Sequence, residues 1–135
     1  MKIDEVAEWI LIADDDIYSA YHLNQLYRKP LEVICYLCAQ AGEKYLKSYL
    51  TYNDITPKRT HDLVKLFSEC LKLSNSFEDI RKECGHLNRF VNEIRYPLRF
   101  EVYDHDATMA IKAVEKIQKV RPIKEMIDFV QNRKQ

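Results

Sequence analysis

The sequence predicts an all-α fold: an antiparallel bundle of four to five helices, forming a single domain over residues 1–135. Three observations carry that expectation. Apolar residues recur at alternating steps of three and four along most of the chain, the period of a helix with one buried face. The chain has only two glycines and four prolines, too few for the many turns of an all-β fold. Its 47% apolar and 31% charged residues match an ordinary globular chain, long enough to bury a core without disulfide or metal staples.

The first segment runs from about Asp4 to Tyr27. Ile3, Val6, Ile10, Ala13, Ile17 and Ala20 form its stripe, with Trp9 beside it and an acidic run at Asp14, Asp15 and Asp16. Lys29-Pro30 ends it, because the residue before a proline avoids the helical region. The second segment starts at Pro30, a good first-turn residue, and reaches about Tyr52. Leu31, Ile34, Cys35, Cys38, Ala41 and Tyr45 keep helical spacing, and Val33, Tyr36, Leu37 and Ala39 fill the rest of the circumference. A helix so apolar is expected to be central. Gly42 inside it costs about 1 kcal/mol relative to alanine, which points to a close helix–helix approach.

Asn53 to Pro57 read as a turn. A third helix is expected from about Lys58 to Leu73, with Leu63, Leu66, Phe67, Cys70 and Leu71 inward. Ser76, three residues before Asp79, resembles a cap for a fourth helix. That helix is expected from Phe77 to about Arg95, on the stripe Phe77, Ile80, Cys84, Leu87, Val91 and Ile94. Tyr96-Pro97 stops it. Asp104 or Asp106 can cap a fifth helix carrying Ala110, Ala113, Ile117 and Val120. Pro122 is expected to kink or split it before Ile127 and Val130.

Twenty-one basic and twenty-one acidic residues give zero net charge, without the basic excess of a generic nucleic-acid binder. Met1 to Glu5 lack the apolar core of a signal peptide, and no run of about 18 apolar residues occurs. The expectation is a cytoplasmic protein with four reduced cysteines.

Three segments resemble the HEPN family, the higher eukaryotes and prokaryotes nucleotide-binding domain. Cys38-Ala39-Gln40-Ala41-Gly42-Glu43-Lys44-Tyr45-Leu46-Lys47 is similar to the family's Q-A-x-E-K-x-L-K segment on the second helix. Gly42 stands where alanine is common. Thr60-His61-Asp62-Leu63 resembles the T-H-D-L opening of the third helix, and Arg95-Tyr96-Pro97 the R-Y-P at the end of the fourth. The resemblance implies a bundle of four or five helices, often a homodimer. It also implies frequent pairing, in prokaryotes, with a separate small nucleotidyltransferase, as in toxin–antitoxin-like systems. The chain would then be the non-catalytic companion, with a nucleotide as its ligand and no cofactor.

Chemistry can reside in three constellations. Lys44, Lys47, His61, Asp62, Arg95 and Tyr96, with Glu43, are candidates for a nucleotide-binding cleft. Lysine supplies a point charge and arginine a planar fork for phosphate oxygens, while tyrosine can stack on a base. The same residues have a structural reading: Glu43 and Lys47 as an i, i+4 pair, His61 and Asp62 in a first helical turn, Arg95 on terminal carbonyls. The second constellation is Arg99 with His105. Some HEPN proteins are metal-independent ribonucleases that use an arginine, four to six residues and a histidine on RNA. Here Arg99 is followed by Phe100 in an expected loop, a departure from that pattern. The third is Cys35-x-x-Cys38 with Cys84-Gly85-His86. It suits neither a tetrahedral zinc site nor a redox pair, so buried small hydrophobes are expected. Tyr18, Tyr21, Tyr27, Tyr49 and Tyr52 read as exposed aromatics able to supply a dimer or partner surface.

Overall fold

The computed structural model describes residues 2–91 and 101–133. Among the described residues six α-helices follow one another: α1 (Ile3–Leu23), α2 (Leu31–Tyr52), α3 (Leu63–Leu73), α4 (Arg81–Asn88), α5 (Asp104–Lys119) and α6 (Arg121–Arg133). A 3₁₀ segment, Asn75–Ile80, precedes α4. Among the described residues there is no strand, and no helix is long and apolar enough to cross a membrane.

The stripe read from α1 is its buried face: Val6, Ile10, Ala13, Ile17 and Ala20 all point inward. They lie against α2, which runs antiparallel to α1. Ser48 donates to the Val6 carbonyl at 3.3 Å near one end of the pair, and the Tyr45 hydroxyl donates to Asp14 further along it. Helix α2 is the axis of the bundle and contacts every other helix. From Ile34 to Thr51 it is buried almost all round. A fully buried Ile or Leu contributes about 1.5–3 kcal/mol, so the aliphatic side chains of α2 alone form a large part of the core.

Gly42 marks the point where α2 meets three helices at once. A Cβ there would lie 3.0 Å from Leu63 Cδ2 on α3, 3.0 Å from Leu87 Cδ1 on α4 and 3.4 Å from Ile117 Cδ1 on α5. The missing methyl lets these side chains close over the backbone.

The third helix departs from the expected bounds. It starts at Leu63 rather than Lys58. Residues 53–62 instead form a strap that returns along α2, from its C-terminal end back to the level of Gly42. Pro57 lacks the N–H that a helix interior needs. The helix start is fixed by Asp62, whose Oδ1 accepts from the Val64 and Lys65 N–H groups at 2.9 and 3.2 Å. The Asn88 carboxamide accepts from the Leu63 N–H at 2.8 Å. Three otherwise orphan donors are thereby satisfied, so Asp62 is the N-cap rather than a first-turn residue. Helix α3 then runs in the same sense as α2, with Leu63 beside Gly42 and Cys70 Sγ 3.7 Å from the Leu46 carbonyl oxygen.

The fourth segment is also subdivided. Residues 75–80 are 3₁₀, capped by Ser74 rather than Ser76: the Ser74 hydroxyl accepts from the Ser76 N–H. A step of three, Phe77 to Ile80, lies on one face of a 3₁₀ turn as well as of an α-helix, so the stripe survives while the helix type changes. Helix α4 ends at Asn88, although Phe90 and Val91 remain buried. Ile94 lies outside the described residues. The α5–α6 break falls as expected: Val120 takes an extended backbone and Pro122 enters the first turn of α6.

Candidate functional site

The strap carries His61 to the middle of α2. Its Nδ1 lies 2.9 Å from Glu43 Oε1, across 18 residues of sequence. Glu43 Oε2 accepts from Lys44 Nζ at 2.8 Å and from Lys47 Nζ at 3.0 Å. Two segments that are apart in sequence, Gln40 to Lys47 and Thr60 to Asp62, thus meet on one carboxylate.

The carboxylate is the buried centre of the cluster. The Glu43 side chain is 0% exposed, Lys47 is 9% and Lys44 14%, whereas His61 is 61% exposed. Burial by itself would raise the Glu43 carboxyl. Hydrogen bonds from Lys44, His61 and Lys47 outweigh it and hold the group below the usual glutamate range. Lys44 also donates to Gln40 Oε1 at 2.9 Å. Lys47 Nζ sits 5.6 Å from the Trp9 ring centroid, a cation–π contact. Asp16, half-buried on α1, feels both Lys44 and Glu43; burial, the largest influence, raises its carboxyl.

This arrangement orients its donors. With Nδ1 on the carboxylate, the other His61 nitrogen, Nε2, is turned away from Glu43. Each ammonium has three N–H donors; Lys44 commits two of them, to Gln40 and Glu43. Glu43, Lys44 and Lys47 together carry one excess positive charge, and a protonated His61 adds another.

Asp62 belongs to the scaffold of this site, since its carboxylate caps α3 and accepts from Asn88 Nδ2 at 3.3 Å. Arg95, Tyr96 and Arg99 lie outside the described residues. His105 is described: 71% exposed, it stacks on Tyr103 at 5.7 Å, with Nε2 3.7 Å from Asp106 Oδ1. Arg89 Nη1 lies 3.4 Å from the same oxygen, and Asp106 Oδ2 accepts from the Tyr103 N–H at 2.9 Å. Burial would raise the Asp106 carboxyl, but the Tyr103 N–H and then the His105 and Arg89 charges hold it low. Asp106 at the third helical position, rather than Asp104, is thus the acid that closes the N-terminus of α5.

All four cysteines are free and buried. Burial pushes the Cys35 and Cys84 thiols up to about 12 and raises Cys38 and Cys70 in the same direction. Among the described residues, no group of three or more His, Cys, Asp and Glu side chains is arranged to hold a metal ion. Of the tyrosines expected at the surface, Tyr18, Tyr21 and Tyr27 are exposed. Tyr49 is buried against Phe77 at 4.8 Å, and Tyr52 is half-buried.

Periodicity did not reveal the triad Asp14–Tyr45–Gln118. Tyr45 donates to Asp14 and accepts from Gln118 Nε2 at 2.9 Å, joining α1, α2 and α5. No short-range spacing signals a bond between residues 73 apart. The Lys47–Trp9 contact was missed for the same reason.

The profile of the HEPN domain family matches residues 6–125. The chain belongs to the HEPN domain family. The crystal structure of an archaeal HEPN homologue superposes with a TM-score of 0.68 at 23% identity, covering 93% of this chain and 97% of that one. That likeness concerns the fold: the two chains share the HEPN bundle over nearly their whole lengths. No curated protein matches the sequence. Within the HEPN frame, Glu43, Lys44, Lys47 and His61 are residues of the resemblance whose charged or imidazole groups the described structure brings onto one carboxylate.

Proposed function

We propose that this HEPN domain is a binding module for a nucleotide, whose phosphates are held by His61, Lys44 and Lys47. The observation that carries the reading is the convergence of three basic side chains, from two elements, on the buried Glu43 carboxylate. A buried ion cluster is a poor way to stabilise a fold, because a well-packed apolar replacement is often as stable or more so. Perturbed ionisable groups in such clusters concentrate at functional sites. The α3 N-terminus is not the phosphate site, since Asp62 and Asn88 already satisfy its first N–H groups.

Calorimetric titration of the full chain with ATP and GTP tests this. Saturable binding in the millimolar range or tighter is expected, weakened at least about tenfold in Lys44→Met and His61→Ala. No heat at millimolar nucleotide, or equal affinity in both variants, overturns it.

The family resemblance extends the proposal to partners: a homodimer, and a role as the non-catalytic companion of a small nucleotidyltransferase in a toxin–antitoxin-like pair. Leu11 and Tyr18 on α1, 52% and 74% exposed, supply apolar area for such contacts. Sedimentation at high concentration tests self-association, and a monomer there rejects it.

A further inference from the structure

A groove of about 350 Å³ opens between the strap and α3, apart from the Glu43 cluster. It exists because residues 53–62 return as irregular chain instead of continuing a helix. Leu50 and Leu66, both buried, form its floor. Ile55 and Pro57 line the strap side, half-buried, and Val64 lines the helix side, 45% exposed. The volume falls in the range of small-molecule sites, about 300–1,000 Å³, which are largely apolar with a few placed polar groups.

The rim is basic. Lys58 and Lys65 border the groove together with one acid, Glu69. Glu69 is shared: Lys58 Nζ lies 3.9 Å away and Lys72 Nζ 3.4 Å away. Two lysines therefore share one carboxylate, and with Lys65 the lip keeps a positive excess. Its lysines are single point charges on mobile stems. The α3 N-terminus brings no free backbone N–H groups to the groove, because Asn88 and Asp62 occupy those of Leu63, Val64 and Lys65. Such a rim suits one monovalent anion better than a polyphosphate, which calls for several converging donors.

We infer that this groove binds a small amphiphilic anion, an alkyl or aryl carboxylate. Its apolar body lies against Ile55, Pro57 and Val64, and its carboxylate faces Lys58 and Lys65. The inference stands apart from the nucleotide reading and uses none of its residues.

The probe is the aryl anion 1-anilinonaphthalene-8-sulfonate, added to the native full chain and followed by fluorescence. Octanoate is expected to displace it, and octanol, matched in length but uncharged, to do so at least about tenfold more weakly. Val64→Glu and Lys65→Glu, both at exposed positions, are each expected to weaken the probe at least about tenfold with an unchanged circular dichroism spectrum. Lys112→Glu, on the exposed surface of α5 away from the groove, is expected to leave it unchanged. Equal competition by octanol and octanoate, or a probe affinity indifferent to both groove variants, overturns the inference.

Discussion

Replacing Glu43 by glutamine keeps the shape of the side chain and removes its charge. Three charge-assisted contacts then change, from Lys44 at 2.8 Å, His61 at 2.9 Å and Lys47 at 3.0 Å. Breaking a buried ion pair on one side costs about 3–5 kcal/mol. Here the cost is smaller. His61 is 61% exposed, so water replaces most of what it loses. The glutamine oxygen still accepts one bond, and the long lysine stems can lift their ammonium groups toward solvent. Lys47, 9% exposed and held over Trp9, has the least freedom to do so. The expected loss for Glu43→Gln is about 2–3 kcal/mol at pH 7, or about 6–15 °C in Tm for a chain of this size.

The pH dependence gives the sharper check. The folded Glu43 carboxyl is held below its ordinary value. Its contribution is therefore fully present above the unfolded glutamate value, about 4.3, and is lost as pH falls through the folded one. Urea denaturation of wild type and Glu43→Gln from pH 7 down to pH 3 should show the gap closing on the acid side. Equal stability at pH 7, or a gap that widens on acidification, refutes the reasoning.

Further outcomes follow from the same packing. Gly42→Ala gains about 1 kcal/mol of helix propensity, but its Cβ meets two leucine methyls at 3.0 Å. Overpacking of about 1–3 kcal/mol is expected to win, giving a small net destabilisation; a stabilised variant in chemical denaturation would show that the helices can separate freely. Asp62→Ala removes the α3 cap and the Asn88 contact, with an expected loss of about 1–2 kcal/mol read by the same assay. A variant as stable as wild type would mean that water or Asn88 already suffices. The four buried thiols should be silent to Ellman's reagent in the native protein and all react in guanidinium; a fast native thiol would contradict the burial.

The sequence told much of the fold and less of the site. Helices whose apolar face repeats without interruption, α1 and α2, were legible to within a few residues, because burial imposes the period directly. Gly42 and the break at Pro122 were legible because each residue has one dominant backbone consequence. The path of residues 53–62 was not: local spacing fixes which face of a helix is buried but says nothing of where a loop goes. The direction of α3 and the His61–Glu43 bond depend on that path. The resemblance pointed to both segments without showing that they touch. Asp62 was read inside the first turn of a helix begun at about Lys58 rather than as the N-cap of one begun at Leu63, since capping and first-turn acids look alike in sequence. Tyr49 was read as exposed because tyrosine suits both surface and core; its contact with Phe77 decides for the core.

The most direct test of the central claim, that Glu43 gathers Lys44, Lys47 and His61 into one ligand site, is a ¹⁵N–¹H chemical-shift titration of the labelled full chain with ATP. The account expects saturable shifts concentrated at residues 43–47 and 60–62, and their collapse in Glu43→Gln. Shifts confined to other faces of the bundle, or a spectrum unmoved at millimolar ATP, would contradict it.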